Sequence, residues 1–203
     1  MNGATVFVVD DDPAVRDSLT LLLEQEDIVV EAFANAESFL SVCRPTSKSC
    51  AIVDLRMPGM NGMQLQAELA KRGSLLPLIF LTGHGDIPTS VRAIKAGAVD
   101  FLTKPIMGSE LLISVKAALR ESEQMSIQAK TSQTATAQIA NLTEREREVM
   151  ALAVEGLPNK EIARHLGISH RTVEIHKARI MHKTGADTLL DLARIADAGG
   201  LRP

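Results

Sequence analysis

The chain contains no tryptophan, no tyrosine and only 5 phenylalanines among 203 residues. That argues against a protein that holds single-stranded nucleic acid by stacking bases on aromatic rings. Cysteine is as scarce. Cys43 and Cys50 are the only 2, and their spacing fits neither a zinc pattern nor a disulfide framework, so both are expected as buried structural thiols in a reducing compartment. No apolar run is long enough to span a bilayer, and no basic segment followed by an apolar one opens the chain. The expectation is a soluble, cytoplasmic protein with no membrane partner.

What is present is a large apolar fraction, 45%, enough for a core, on a chain long enough for one large domain or two modest ones. The net charge of −3 hides a split: residues 1–120 balance to −3, residues 121–141 to −1 and residues 142–203 to +1, with a local excess of +3 in residues 169–183. Positive charge gathered in one segment says more about partners than the total does.

Residues 51–54 read Ala-Ile-Val-Asp, and a Pro58-Gly59 turn and Gly62 follow. An apolar run ending on a carboxylate predicts a buried strand that presents Asp54 at the mouth of a sheet. Similar runs at 5–9, 28–33, 77–82 and 99–103 alternate with helical periodicity that opens at Pro13 and carries Val15, Leu19, Leu22 and Leu23, then around 37–43, at 63–71, at 87–96 and from about 108 past 120. Five strands alternating with five helices predict a parallel, doubly wound α/β sheet with its crevice at the carboxyl ends of the strands. Those ends carry Asp10-Asp11-Asp12, Asp54, Thr82 and Lys104.

Clustered carboxylates repel and raise one another's pKa, and a hard divalent cation relieves that cost. Mg2+ (or Mn2+) would take Asp11 and Asp54 as direct ligands, with Asp10 close by or acting through water, and the backbone carbonyl of Arg56 as a third ligand. An oxygen of Asp54 could then accept a phosphoryl group, a step that needs charge neutralisation and positioning more than a strong base. Lys104 supplies one cation, and Thr82 a hydroxyl for a phosphoryl oxygen.

Four motifs, in this order and spacing, carry a resemblance: Val8-Val9-Asp10-Asp11-Asp12, Asp54-Leu55-Arg56-Met57-Pro58-Gly59, Thr82-Gly83-His84-Gly85-Asp86-Ile87-Pro88, and the stretch from Lys95 to Pro105. Residues 1–120 resemble the receiver domain of two-component response regulators, which implies the flavodoxin-like strand order 2-1-3-4-5. It also implies Asp54 as phosphoacceptor, an acidic pocket of Asp10 and Asp11, a switch pair of Thr82 and Phe101, a cis Lys104-Pro105 bond and a sensor histidine kinase as donor. Phe101 stands where the family often has tyrosine, so switching here must work by packing.

Residues 121–141 lack a clear apolar stripe and read as a linker into which the preceding helix can extend. From Leu142 on, the periodicity is helical. Thr143 and Glu146 form a capping box, Asn159 is expected to cap a second helix, and Ser169 a third that runs to Thr184 before Gly185. A fourth spans about 188–198. Two short helices joined by a glycine turn, the second one basic, form a helix-turn-helix pattern. Residues 142–203 resemble the four-helix LuxR-type DNA-binding domain of the FixJ/NarL regulators, FixJ-like branch. On the third helix, Glu174, Ile175 and Ala178 are spaced to reach base edges of promoter DNA. Arg171, Thr172, His176, Lys177, Arg179 and Lys183 suit phosphate contacts.

The expected behaviour is a transcription regulator that dimerises on phosphorylation through a face carrying Val91, Ile94 and Lys95, and acts on RNA polymerase. Two rivals share the first half. A Mg2+-dependent phosphatase with an aspartyl-phosphate intermediate lacks a second carboxyl two residues after Asp54, where Arg56 stands. A phosphorylation-independent DNA-binding regulator keeps the fold without the chemistry.

Overall fold

Strands that are buried on both faces must be apolar at successive positions, and three of this chain's strands are. In the computed structural model, which describes residues 3–83, 91 and 93–201, these are β1 (Thr5–Val9), β3 (Ser49–Asp54) and β4 (Leu78–Thr82). β2 (Val29–Phe33) and β5 (Asp100–Thr103) flank them and are more exposed. All neighbours pair in parallel, in the order β2-β1-β3-β4-β5, so the doubly wound sheet expected from the sequence is present.

Side chains alternate across the sheet with a period of two. Val6, Val8, Cys50, Ile52, Ile79 and Leu81 point to one face, where α1 (Pro13–Glu24) and the first part of α4 (Gly108–Ala140) supply Leu19, Leu23, Leu111, Val115 and Leu119. Phe7, Val9, Ala51, Val53, Leu78 and Phe80 point to the other, against Phe39 of α2 (Ala36–Val42) and Leu65 and Leu69 of α3 (Gly62–Lys71). Asp12 caps α1, accepting from the Ala14 N–H, and Pro13 opens it. The helix expected at 87–96 falls largely outside the described residues. Of it, residues 91 and 93–95 are helical.

The chain divides into two units, Met1–Ile127 and Gln128–Pro203. α4 is helical through the whole of the stretch read as a linker, up to Ala140. Its last turns belong to the second unit: Ala135 and Ile139 are buried, Ser132 Oγ donates to the Ala198 carbonyl, and Gln138 Nε2 to that of Thr184. One alanine and one isoleucine a turn apart make too thin a stripe to stand out in sequence.

α5 (Glu144–Val154), α6 (Asn159–Leu166), α7 (His170–Thr184) and α8 (Leu189–Ala198) complete the second unit around Leu142, Val149, Met150, Ile162, Val173, Ile180 and Leu192. Glu146, 2% exposed, is buried among them. It closes the capping box with Thr143 and accepts from Lys183 Nζ at 2.7 Å. These bonds, Lys183 first and the Thr143 N–H second, hold its carboxyl down at about 2. A carboxyl lowered in the folded state contributes stability above its unfolded pKa and loses it as pH falls through the folded one. The unfolding midpoints of the wild type and Glu146→Gln are therefore expected to lie furthest apart near neutrality and to converge between about pH 4.5 and about pH 2. A gap that stays constant across an acid series of urea titrations would contradict the pairing.

Candidate functional site

Parallel strands end together, so the polar residues that terminate β1, β3, β4 and β5 meet at one edge of the sheet. Asp10 follows β1 and is 1% exposed. One of its oxygens accepts from the Asp12 N–H at 3.0 Å and the other from Lys104 Nζ at 2.6 Å. Asp54 ends β3. Its Oδ1 accepts from the Arg56 N–H at 3.3 Å and its Oδ2 from Lys104 Nζ at 3.2 Å. The Lys104 N–H in turn donates to the Thr82 carbonyl at 2.7 Å, and the Lys104–Pro105 bond is cis. One ammonium thus bridges two buried carboxylates contributed by residues far apart in sequence.

The electrostatics follow from that geometry. Burial pushes the Asp54 carboxyl up and Asp10 adds to the push, while Lys104 and the Arg56 N–H oppose it. Burial pulls Lys104 down but is outweighed by its bonds to Asp10 and Asp54, so the ammonium is held above its ordinary range.

Asp11 is exposed beside them, and single oxygens of Asp10, Asp11 and Asp54 lie within 4.8 Å of one another. Octahedral Mg2+ with bonds of about 2.0–2.1 Å holds its ligand oxygens roughly 3–4 Å apart, so these three acids fit a hard cation with small side-chain rotations. Asp10 and Asp54 both accept on both oxygens, Asp10 at 3.0 and 2.6 Å and Asp54 at the longer 3.3 and 3.2 Å, so exposed Asp11 is the most available donor and Asp54 the next.

Thr82, fully buried, ends β4 and stands in register with Thr103, one pair beyond Leu81 and Leu102. Phe101 is half-buried against the same core cluster as Phe80 and Leu65. Its N–H donates to Asp100 Oδ1 at 2.8 Å, and Asp100 Oδ2 accepts from Ser114 Oγ at 2.5 Å. Val91 and Ile94 are 45% and 46% exposed, and Lys95 is exposed beside them. Of the third motif, His84-Gly85-Asp86-Ile87-Pro88 lies outside the described residues.

The second unit carries a separate candidate surface. Gly167, in the left-handed region at φ 65°, ends α6, and Ser169 caps α7 by accepting from the Thr172 N–H at 3.1 Å. The turn sets two short helices in sequence, and α7 buries Val173, Ile180 and Thr184. Glu174, Ile175 and Ala178 are exposed together with Arg171 and Arg179, as a helix that enters a groove requires. His170 Nδ1 lies 3.6 Å from Glu174 Oε1. Thr172 Oγ1 bonds to Ser169 Oγ at 2.8 Å. His176 is half-buried, with an Nδ1 that meets no partner among the described residues.

Two expectations change here. Lys183 does not stand free for a phosphate, because its ammonium is committed to buried Glu146. Asn159 does not cap α6: Pro158 holds the N-cap position without a side-chain bond, and Asn159 Oδ1 accepts from Lys177 Nζ at 3.0 Å instead. Lys177 therefore ties α7 to the start of α6. Both partnerships span turns of the chain that sequence spacing does not reveal.

Residues 6–116 match the family described as "Response regulator receiver domain", and residues 140–196 that of "Bacterial regulatory proteins, luxR family". The chain is similar to "Transcriptional regulatory protein FixJ" of Azorhizobium caulinodans, 42% identical over 98% of this chain and 94% of the relative. It is similar to FixJ of Bradyrhizobium diazoefficiens at 40%, over 97% and 96%. Among solved structures it resembles the response regulator StyR, with a TM-score of 0.83 and 40% identity over 96% of this chain and 98% of that one. Full-length FixJ from B. japonicum gives a TM-score of 0.60 and 38% identity over the whole of both chains.

Proposed function

The chain belongs to the response regulators that join a receiver domain to a LuxR-family DNA-binding half, and from that premise we propose that Asp54 is its phosphoacceptor. The observation that carries this is the ammonium of Lys104 shared between Asp54 and Asp10 at the sheet edge. A buried carboxylate whose charge is opposed by burial yet compensated by one cation is poised to exchange partners when a phosphoryl group arrives.

In the transfer, an oxygen of Asp54 forms a bond to phosphorus as the bond from phosphorus to the donor, a histidine of a sensor kinase or acetyl phosphate, breaks. Asp11, Asp54 and the Arg56 carbonyl, with Asp10 close by, would hold Mg2+, which would supply charge neutralisation on the phosphoryl oxygens. Lys104 leaves its carboxylate contact to pair with one of those oxygens, and the Thr82 hydroxyl takes another. Arg56 occupies the place two residues on where a phosphatase would keep a general acid, so the acyl phosphate is a signal and not a turnover intermediate.

Residues 1–120 act as the receiver and residues 142–203 as the DNA reader, the intervening stretch joining them. Thr82 and Phe101 convert the phosphoryl group into a changed packing of β4 and β5, and the exposed face with Val91, Ile94 and Lys95 pairs two copies. Two α7 helices then meet two half-sites of cytoplasmic promoter DNA, and the bound dimer acts on RNA polymerase. Glu174, Ile175 and Ala178 read base edges. Arg171, Thr172, His176, Lys177 and Arg179 hold phosphates, Lys177 only after leaving Asn159.

Acetyl phosphate with Mg2+ is expected to place one phosphoryl group on Asp54, located by mass spectrometry of borohydride-trapped peptides, and to shift sedimentation towards the dimer. A phosphoryl group found on another residue would overturn the assignment. A monomer with Asp54 modified would overturn the dimer step alone.

A further inference from the structure

The acidic cluster has a second cation that the spacing of its motifs does not announce. Arg16 lies one turn into α1, half-buried. Its Nη1 donates to two backbone carbonyls at once, that of Asp10 at 2.8 Å and that of Asp11 at 3.0 Å. The arginine holds the loop between β1 and α1 by its main chain and leaves the carboxylates of both acids untouched.

That choice of acceptor matters chemically. An arginine paired with a carboxylate would occupy the oxygens a cation needs, as Lys104 already does at Asp10 and Asp54. An arginine on the carbonyls adds positive charge beside the cluster, lowers the repulsion among three acids and still keeps Asp11 free. It also removes freedom from the one exposed member of the set. Asp11 sits on a two-residue step between buried Asp10 and the helix cap Asp12, and with both flanking carbonyls pinned its side chain starts from a defined backbone.

We infer that Arg16 is a positioning residue for the cation site of Asp10, Asp11 and Asp54: it preorganises the acidic loop so that Mg2+ binds without ordering it. The inference rests on the reading of that cluster as a Mg2+ site. Groups that orient metal ligands from outside typically change affinity by about 10–100-fold when removed. Arg16→Met keeps most of the aliphatic stem and deletes the guanidinium. Arg16→Lys keeps the charge but offers a single ammonium that ends one bond short of the guanidinium Nη.

The test is the rise in unfolding temperature of the full chain with added MgCl2, which reports affinity through linkage and needs no phosphoryl donor. Calorimetric titration of MgCl2 gives the same constant where a variant is too unstable to melt cleanly. Arg16→Met is expected to need about tenfold more Mg2+ than the wild type for half the effect, with Arg16→Lys in between. A merely structural arginine would lower the melting temperature without metal and leave the Mg2+ midpoint where it was, and that result overturns the inference. If the wild type itself shows no response to Mg2+, the reading of the cluster falls first and the role of Arg16 with it.

Discussion

Replacing Lys104 by alanine is expected to destabilise the first unit by about 2 kcal/mol in the absence of divalent cation and to slow phosphoryl acceptance by roughly 10²–10³-fold. The Lys104 side chain is 23% exposed, and the side chains of Asp10 and Asp54 that it bridges are 1% and 11% exposed. Its removal leaves two buried acids facing each other with no cation on their carboxyl oxygens, the situation in which breaking a buried pair costs most. The partial exposure of the lysine is the reason to expect less than the full cost of a buried pair.

The pH dependence has a definite sign. The Asp54 carboxyl is already raised by burial and by Asp10, and loss of Lys104 raises it further. A carboxyl raised in the folded state penalises folding at high pH and releases the penalty as pH falls through its folded value. The deficit of Lys104→Ala relative to the wild type should therefore shrink as the solution is acidified, and shrink again at neutral pH when MgCl2 is added. Urea unfolding of both proteins across that range, with and without Mg2+, measures each effect. Equal stability of the two proteins at neutral pH without Mg2+ would mean that the bridge contributes nothing.

Gly62→Ala should cost about 3 kcal/mol, near the upper end for an overpacked site, and depress phosphoryl acceptance with it. Gly62 is buried in the first turn of α3. A Cβ there would lie 2.7 Å from the Asp54 carbonyl oxygen, 3.0 Å from Phe80 Cε1 and 3.1 Å from Leu55 Cα. Two of these three neighbours are backbone, so the strain falls on the peptide that joins Asp54 to Leu55. Gly73→Ala serves as the comparison. At φ +67° it meets no described atom within 4 Å, so it pays only the left-handed backbone cost of about 1–2 kcal/mol. The two variants should separate in acetyl phosphate labelling: Gly73→Ala modified at the wild-type rate, Gly62→Ala much more slowly. Similar labelling of both would show that the fit around Gly62 serves packing alone.

Much of the site was legible because it is made of strand ends. Asp10, Asp54, Thr82 and Lys104 each follow an apolar run, and a parallel sheet brings the ends of such runs to one edge whatever the loops between them do. The capping box of Thr143 and Glu146 was legible because both members lie within one turn. What escaped notice depends on partners distant in sequence. Glu146 looks like a surface acid until the fold buries it and brings Lys183, 37 residues on, to within 2.7 Å. Asn159 has the side chain of a helix cap, yet its acceptor serves Lys177 of the next helix. Nothing around Arg16 marks it as a clamp on the Asp10 and Asp11 carbonyls, because its targets are main-chain atoms and carry no residue identity.

By itself the sequence determined the order of elements, the sheet class, the acids and the lysine at the strand ends, and the helix-turn-helix with its exposed basic face. All of these follow from local periodicity and from residue types that stand next to apolar runs. Only the tertiary structure decided which group each cation serves: Lys104 the Asp10 and Asp54 carboxylates, Arg16 the main chain of the loop between β1 and α1, Lys183 the buried Glu146. It also decided that Gly62 must have no side chain and that the end of α4 packs into the second unit. The physical reason is the same in each case. Charge pairing and close approach act through a few ångströms of space, and segments remote along the chain become neighbours only once the core has closed.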